Sequence, residues 1–127
     1  MPTESWHLGK KDHNLDTSAF LYSGMNYLDW EVTTLFYSAV HYVDAYFARK
    51  GIHPKCHTSK YRDGRNELVL ALLAPIASEY LQLYKLSKAA RYGWPRQLIQ
   101  QGDVQDAESC FDTVKTALDS LLQTPTC

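Results

Sequence analysis

The chain has no long hydrophobic run. Its most apolar stretch, LVLALLAP at 68–75, is far short of the roughly 20 residues that a membrane-crossing helix needs, so no membrane partner is expected. The first ten residues carry no basic segment followed by an apolar core, so no secretory leader is expected. Cysteine is scarce: Cys56, Cys110 and Cys127 are odd in number and lack framework spacing. That points to reduced thiols and a cytoplasmic setting rather than disulfides. Charge of one sign is lacking too. Thirteen Lys and Arg against 14 Asp and Glu leave a net charge of −1, so nucleic-acid binding would have to come from a local patch. Glycine and proline are few, Gly24 falls inside the first periodic segment where it weakens a helix, and no glycine-rich phosphate loop is present. No stretch alternates with the period of a strand, and there is no repeat or low-complexity tract. What remains is one 127-residue domain, 45% hydrophobic, enough for a single core.

The organising stretch is WEVTTLFYSAVHYVDAYFARK at 30–50. Phe36, Val40, Val43 and Phe47 recur at steps of four, three and four, one face of a helix. Asp29 is placed to cap its start and Gly51 to end it. A second stripe with the same spacing, Tyr37, His41, Asp44 and Ala48, runs beside the apolar one. Residues 1–9 are expected to be irregular. A first helix is expected over 10–28, with Leu21, Met25 and Leu28 as its apolar edge. A loop spans 51–58, and Thr58 is placed to cap a third helix over 59–74. The end of that helix is apolar all round and is expected to be buried on most sides. Pro75 restarts the chain into a fourth helix over 76–92, which Gly93-Trp94-Pro95 ends. Asp103 caps a fifth, whose core stripe is Val104, Ala107, Phe111, Val114, Leu118 and Leu121. Pro125 closes it, leaving 123–127 as a tail. The fold class is all-α: an antiparallel up-and-down bundle of four to five helices joined by short connections.

Few constellations carry chemistry. His53, Cys56 and His57 match no closed metal pattern, so no metal is expected, and no cofactor is implied. Lys60, Arg62 and Arg65 form a basic run diluted by Asp63, either a solvated face or a phosphate contact. His41 sits beside the core stripe with Tyr37 and Asp44 a turn away on either side. It is either a half-buried structural residue or part of a site with His57, Tyr84, Ser87 and Arg91 from neighbouring helices. In the second case Arg91 grips phosphate or carboxylate, small Ser87 lets a ligand approach, and free backbone N–H groups beside His57 favour an anion. Nine tyrosines and three tryptophans, with Tyr42 and Tyr46 facing away from the core stripe, suggest a symmetric dimer.

Four elements together carry a family resemblance: W-x-V-x-x-L-F-Y-S-A-V-H-Y-V-D-A-Y at 30–46, I-H-P-x-x-H at 52–57, R-N-E-L-V at 65–69, and Y-L-x-L-Y-x-L-S-x-x-A-R-Y at 80–92. In this order they resemble HEPN-type proteins of bacteria. The resemblance implies a HEPN-like bundle, often dimeric. It also implies either a ribonuclease of a toxin–antitoxin or defence system or a non-catalytic binding or scaffold domain. The ribonuclease members use an Arg followed, four to six residues on, by a His. Arg65-Asn66 opens such a motif, but Leu70 stands in place of the His, and Leu cannot move a proton between a 2′-OH and a leaving oxygen. The leading expectation is therefore a binding domain for a nucleotide, RNA or protein partner, with Tyr37, His41, Asp44, His57, Arg65, Tyr84, Ser87 and Arg91 as its candidate residues. The alternatives are a ribonuclease-type toxin with catalytic candidates His41, His57 and Arg91, and a purely structural dimeric adaptor.

Overall fold

A computed structural model of the chain describes residues 2–24, 27–92 and 99–123, the side chains of 22–24 excepted. Met25, Gly93-Trp94-Pro95, Pro125 and Cys127 lie outside the described residues. The protein is all-helical. Its elements in chain order are α1 (Glu4–Gly24), α2 (Leu28–Arg49), α3 (Arg65–Leu72), a 3-10 turn (Ala74–Ile76), α4 (Ala77–Tyr92) and α5 (Gln101–Gln123). No strand occurs among the described residues, and no helix among them is long and apolar enough to cross a membrane.

The core is built on α2. Val32, Phe36, Ala39, Val43 and Phe47 have no exposed surface, and burying each of the two phenylalanines stabilises the fold by about 1.5–3 kcal/mol. Packed on them are Tyr80 and Leu83 of α4 and Val104, Ala107, Phe111, Val114 and Leu118 of α5. The stripe of α5 is buried as its spacing predicts, except that Leu121 at its end is exposed. Because α1, α4 and α5 all pack on α2, its flanks are buried as well. Tyr42, expected on an outer face, lies fully buried, with the Lys11 ammonium of α1 over its ring at 4.6 Å. Tyr46 is half-buried.

Helix ends show how local chemistry sets the boundaries. The N-cap of α2 is Tyr27 and makes no side-chain cap bond. Asp29 sits inside the first turn, where it complements the helix dipole instead of capping. At the other end Gly51 has φ of +76°. Its N–H donates to Ala48 O at 3.0 Å and the Ile52 N–H to Phe47 O at 2.9 Å, the paired bonds of a Schellman ending. In α5 Asp103 is also inside the helix, and its carboxylate accepts from the Gln100 N–H at 2.9 Å, one half of a capping box.

Two boundaries, one helix direction and one buried face differ from expectation. The N-terminal residues are helical from Glu4 onward, because α1 is docked through polar groups that a hydropathy reading passes over. The carboxylate of Glu4 accepts from Arg49 Nη2 at 2.7 Å and Nε at 3.1 Å, and Ser38 Oγ donates to Lys11 O at 3.2 Å. His7 and Ser18 are buried in the same interface. These contacts pair the start of α1 with the end of α2, so the two run antiparallel. Arg49 also donates to Leu122 O at 2.7 Å, which sets α5 alongside α2 in the same direction rather than against it.

The third helix begins at Arg65, not at 59. Residues 59–64 stay non-helical: Arg62 has φ of +64°, and the Glu67 carboxylate accepts from the Ser59 N–H. Finally, the apolar end of α3 is not buried all round. Val69 and Leu73 enter the core, whereas Leu70 and Leu72 are 54% and 44% exposed. A helix of eight residues at the edge of the bundle turns only one face inward.

Candidate functional site

The loop after α2 folds back on the start of α3 and brings His57 onto the aromatic side of α2. The Arg65 N–H donates to Cys56 O and the Asn66 N–H to His57 O, both at 2.8 Å. Those N–H groups are therefore occupied and do not offer the open anion site expected at the start of the third helix. The fold-back needs a glycine: a Cβ on Gly64 would lie 2.7 Å from Ser59 N and from Thr58 C.

Arg65 is committed to the protein. Its Nε donates to Asp44 Oδ1 at 2.8 Å and its Nη2 to Asp44 Oδ2 at 2.9 Å, a bidentate pair with both side chains more than nine-tenths buried. Its Nη1 contacts His57 Nδ1 at 3.2 Å. A guanidinium has no acceptor, so His57 Nδ1 accepts and the ring carries its proton on Nε2. Burial, and then the charges of Arg65 and Arg91, hold the His57 pKa below the usual histidine value, so the ring is neutral near pH 7. No hydrogen bond among the described residues uses its Nε2.

Arg91 lies on the other side of this ring. Its Nη1 donates to the Tyr37 hydroxyl at 2.7 Å and its Nε to Ser87 O at 3.3 Å. The guanidinium lies 5.3 Å from the centroid of the Tyr37 ring, 5.7 Å from that of Phe36 and 5.1 Å from that of Tyr92, within reach of cation–π attraction. None of the ion pairs among the described residues involves Arg91. The His57 ring is 5.5 Å from Phe36 and 5.6 Å from Tyr84, and the Lys88 ammonium stands over Tyr84 at 5.5 Å. Tyr37, His57, Tyr84 and Arg91 thus form one group around Phe36. Ser87 is fully buried and offers the group only its carbonyl. Phe36 belongs to the core stripe of α2, and its place under three polar rings depends on what α4 and the loop bring to it.

His41 lies elsewhere on the stripe. Its Nδ1 meets His7 Nδ1 at 2.9 Å, with Trp6 edge-on to both rings at 5.2 and 5.5 Å. Two ring nitrogens at that distance hold one proton between them. Burial first, and the neighbouring His7 next, lower the His41 pKa to about 4. Burial lowers His7 as well. Asp44 and Arg65 act on both rings, so the buried ion pair stands electrostatically between the His41 pair and the Arg91 group. His7 was missed because 1–9 read as irregular; its spacing to Lys11 and Ser18, both packed on α2, is the signal that a polar helix face would have given. His53, Cys56 and His57 do not assemble: no three His, Cys, Asp or Glu side chains among the described residues are grouped as metal ligands.

No family model, curated protein or solved structure matches the chain.

Proposed function

We propose that the chain is a HEPN-like binding domain and that the Arg91 group takes the phosphate of a nucleotide or of single-stranded RNA. One observation carries this reading: a guanidinium paired with no carboxylate among the described residues, close to the Tyr37, Phe36 and Tyr92 rings, with His57, Tyr37 and Tyr84 around it. The donor set exceeds the acceptors, and Lys88 adds a second positive charge, which suits an anion. The exposed Tyr92 ring offers a stacking face for a base. Binding fits better than cleavage, since Arg65 is spent on Asp44 and Leu70 carries no proton. Titration of the wild-type protein with adenosine monophosphate by calorimetry is expected to give saturable binding. Arg91→Ala is expected to abolish it with little change in melting temperature, and single-stranded RNA incubated without metal is expected to stay intact. A sharp fall in melting temperature, with no nucleotide stabilising the wild type, would make the cluster a structural clasp. RNA cleavage lost with His57→Ala would favour the toxin-type ribonuclease.

The exposed Leu70 and Leu72 support a second element of the reading: a second copy of the chain covers α3 and completes a homodimer.

A further inference from the structure

A cleft of about 480 Å³ opens between α1, α2 and α5 and shares no lining residue with the Arg91 group. One wall is apolar, made by Leu15, Leu35 and Phe111. The other is acidic. Glu31 and Glu108 line it together with Asp112, while the single cation there, Lys115, gives its ammonium to Asp119 at 2.8 Å. No charged residue of α1 lines the cleft, α2 brings only Glu31, and α5 brings the rest. Glu31 is 2% exposed; its Oε2 meets no donor group, and the group its side chain faces is another carboxyl, that of Glu108. A buried carboxyl oxygen left unpaired is costly and uncommon, and a bound donor is one way to satisfy it.

We propose that this cleft binds a primary ammonium ion carried on a short apolar chain, with Glu31 and Glu108 gripping the ammonium and the apolar wall packing the chain. An ammonium brings three donors and one positive charge to two facing carboxyls. The hydrocarbon wall disfavours a bare metal ion, which needs oxygen ligands on more sides. Without a ligand, burial and the facing Glu108 carboxyl raise the Glu31 pKa to about 7, so the pair shares a proton that the ammonium replaces. Affinity therefore rises with pH through neutrality.

Isothermal titration of the full chain with hexylammonium chloride, with hexanol and sodium hexanoate as controls, tests this. At pH 8 hexylammonium is expected to bind at least about tenfold tighter than hexanol and to weaken by a similar factor at pH 6. Glu31→Gln and Glu108→Gln are each expected to lose about tenfold or more for the ammonium while leaving hexanol unchanged; Arg91→Ala leaves both unchanged. Absence of heat with hexylammonium, equal affinity for hexanol, or full affinity in a folded Glu108→Gln variant overturns the proposal. Glu108 is only half-buried, so that variant decides the matter even if Glu31→Gln fails to fold.

Discussion

Asp44 and Arg65 illustrate how one residue pair decides a region. Each is buried, and each satisfies the other through two bonds. Asp44→Ala removes both acceptor oxygens and the charge, leaving the guanidinium in the interior with only His57 and the Pro54 carbonyl. A loss of about 3–5 kcal/mol is expected, read as a lower midpoint in urea denaturation. The histidines make stability depend on pH. Unfolded His41 titrates near 6.5, whereas in the fold it titrates near 4. As pH falls below 6.5 the unfolded chain takes up the proton first, so stability drops through that window and levels off below about 4. His41→Gln is expected to flatten this acid loss by on the order of 2 kcal/mol, after allowance for partial screening by water. Denaturation series between pH 4 and 8 measure it. At this scale the sequence made one thing legible, the alignment of Tyr37, His41 and Asp44 along a helix. Spacing says which side chains share a face. It does not say that His7 meets His41 or that Arg65 meets Asp44, because those partners arrive from elements distant in the chain.

At the scale of elements, α2 and α5 were legible because their apolar periods are long and their ends carry turn chemistry. The start of α3 was not. Thr58 looks like a cap, and the polar residues after it are compatible with a helix, yet the chain instead folds back so that Cys56 and His57 carbonyls take the first N–H groups of α3. The close approach at Gly64 makes that path possible. Gly64→Ala places a Cβ against backbone atoms at 2.7 Å, which no side-chain rotation relieves. The loop must shift, at a cost of about 1–3 kcal/mol, and His57 moves with it. Calorimetry is expected to show a lower melting temperature, and nucleotide titration a weaker signal, from one substitution outside the Arg91 group.

For the whole molecule, the surplus of aromatic residues that suggested self-association is partly absorbed by the fold, since Tyr42 and Tyr80 are core residues. Phe20, Trp30, Tyr61 and Tyr92 stay outside, and α3 adds Leu70 and Leu72. Sedimentation at tens of micromolar is the check: the proposed homodimer is expected for the wild type and a monomer for Leu70→Glu, whereas a monomer in both removes α3 as a contact. The mixed seating of α1 has a consequence for how it leaves the bundle. Besides the polar contacts of Glu4, His7 and Lys11, it packs Leu8 and Leu15 against the core and covers Tyr42, so its release exposes hydrocarbon and carries its share of the heat-capacity change. Acid adds a second route: protonation of His7 and His41 loosens α1 while the hydrocarbon packing of α2, α4 and α5 keeps its shape.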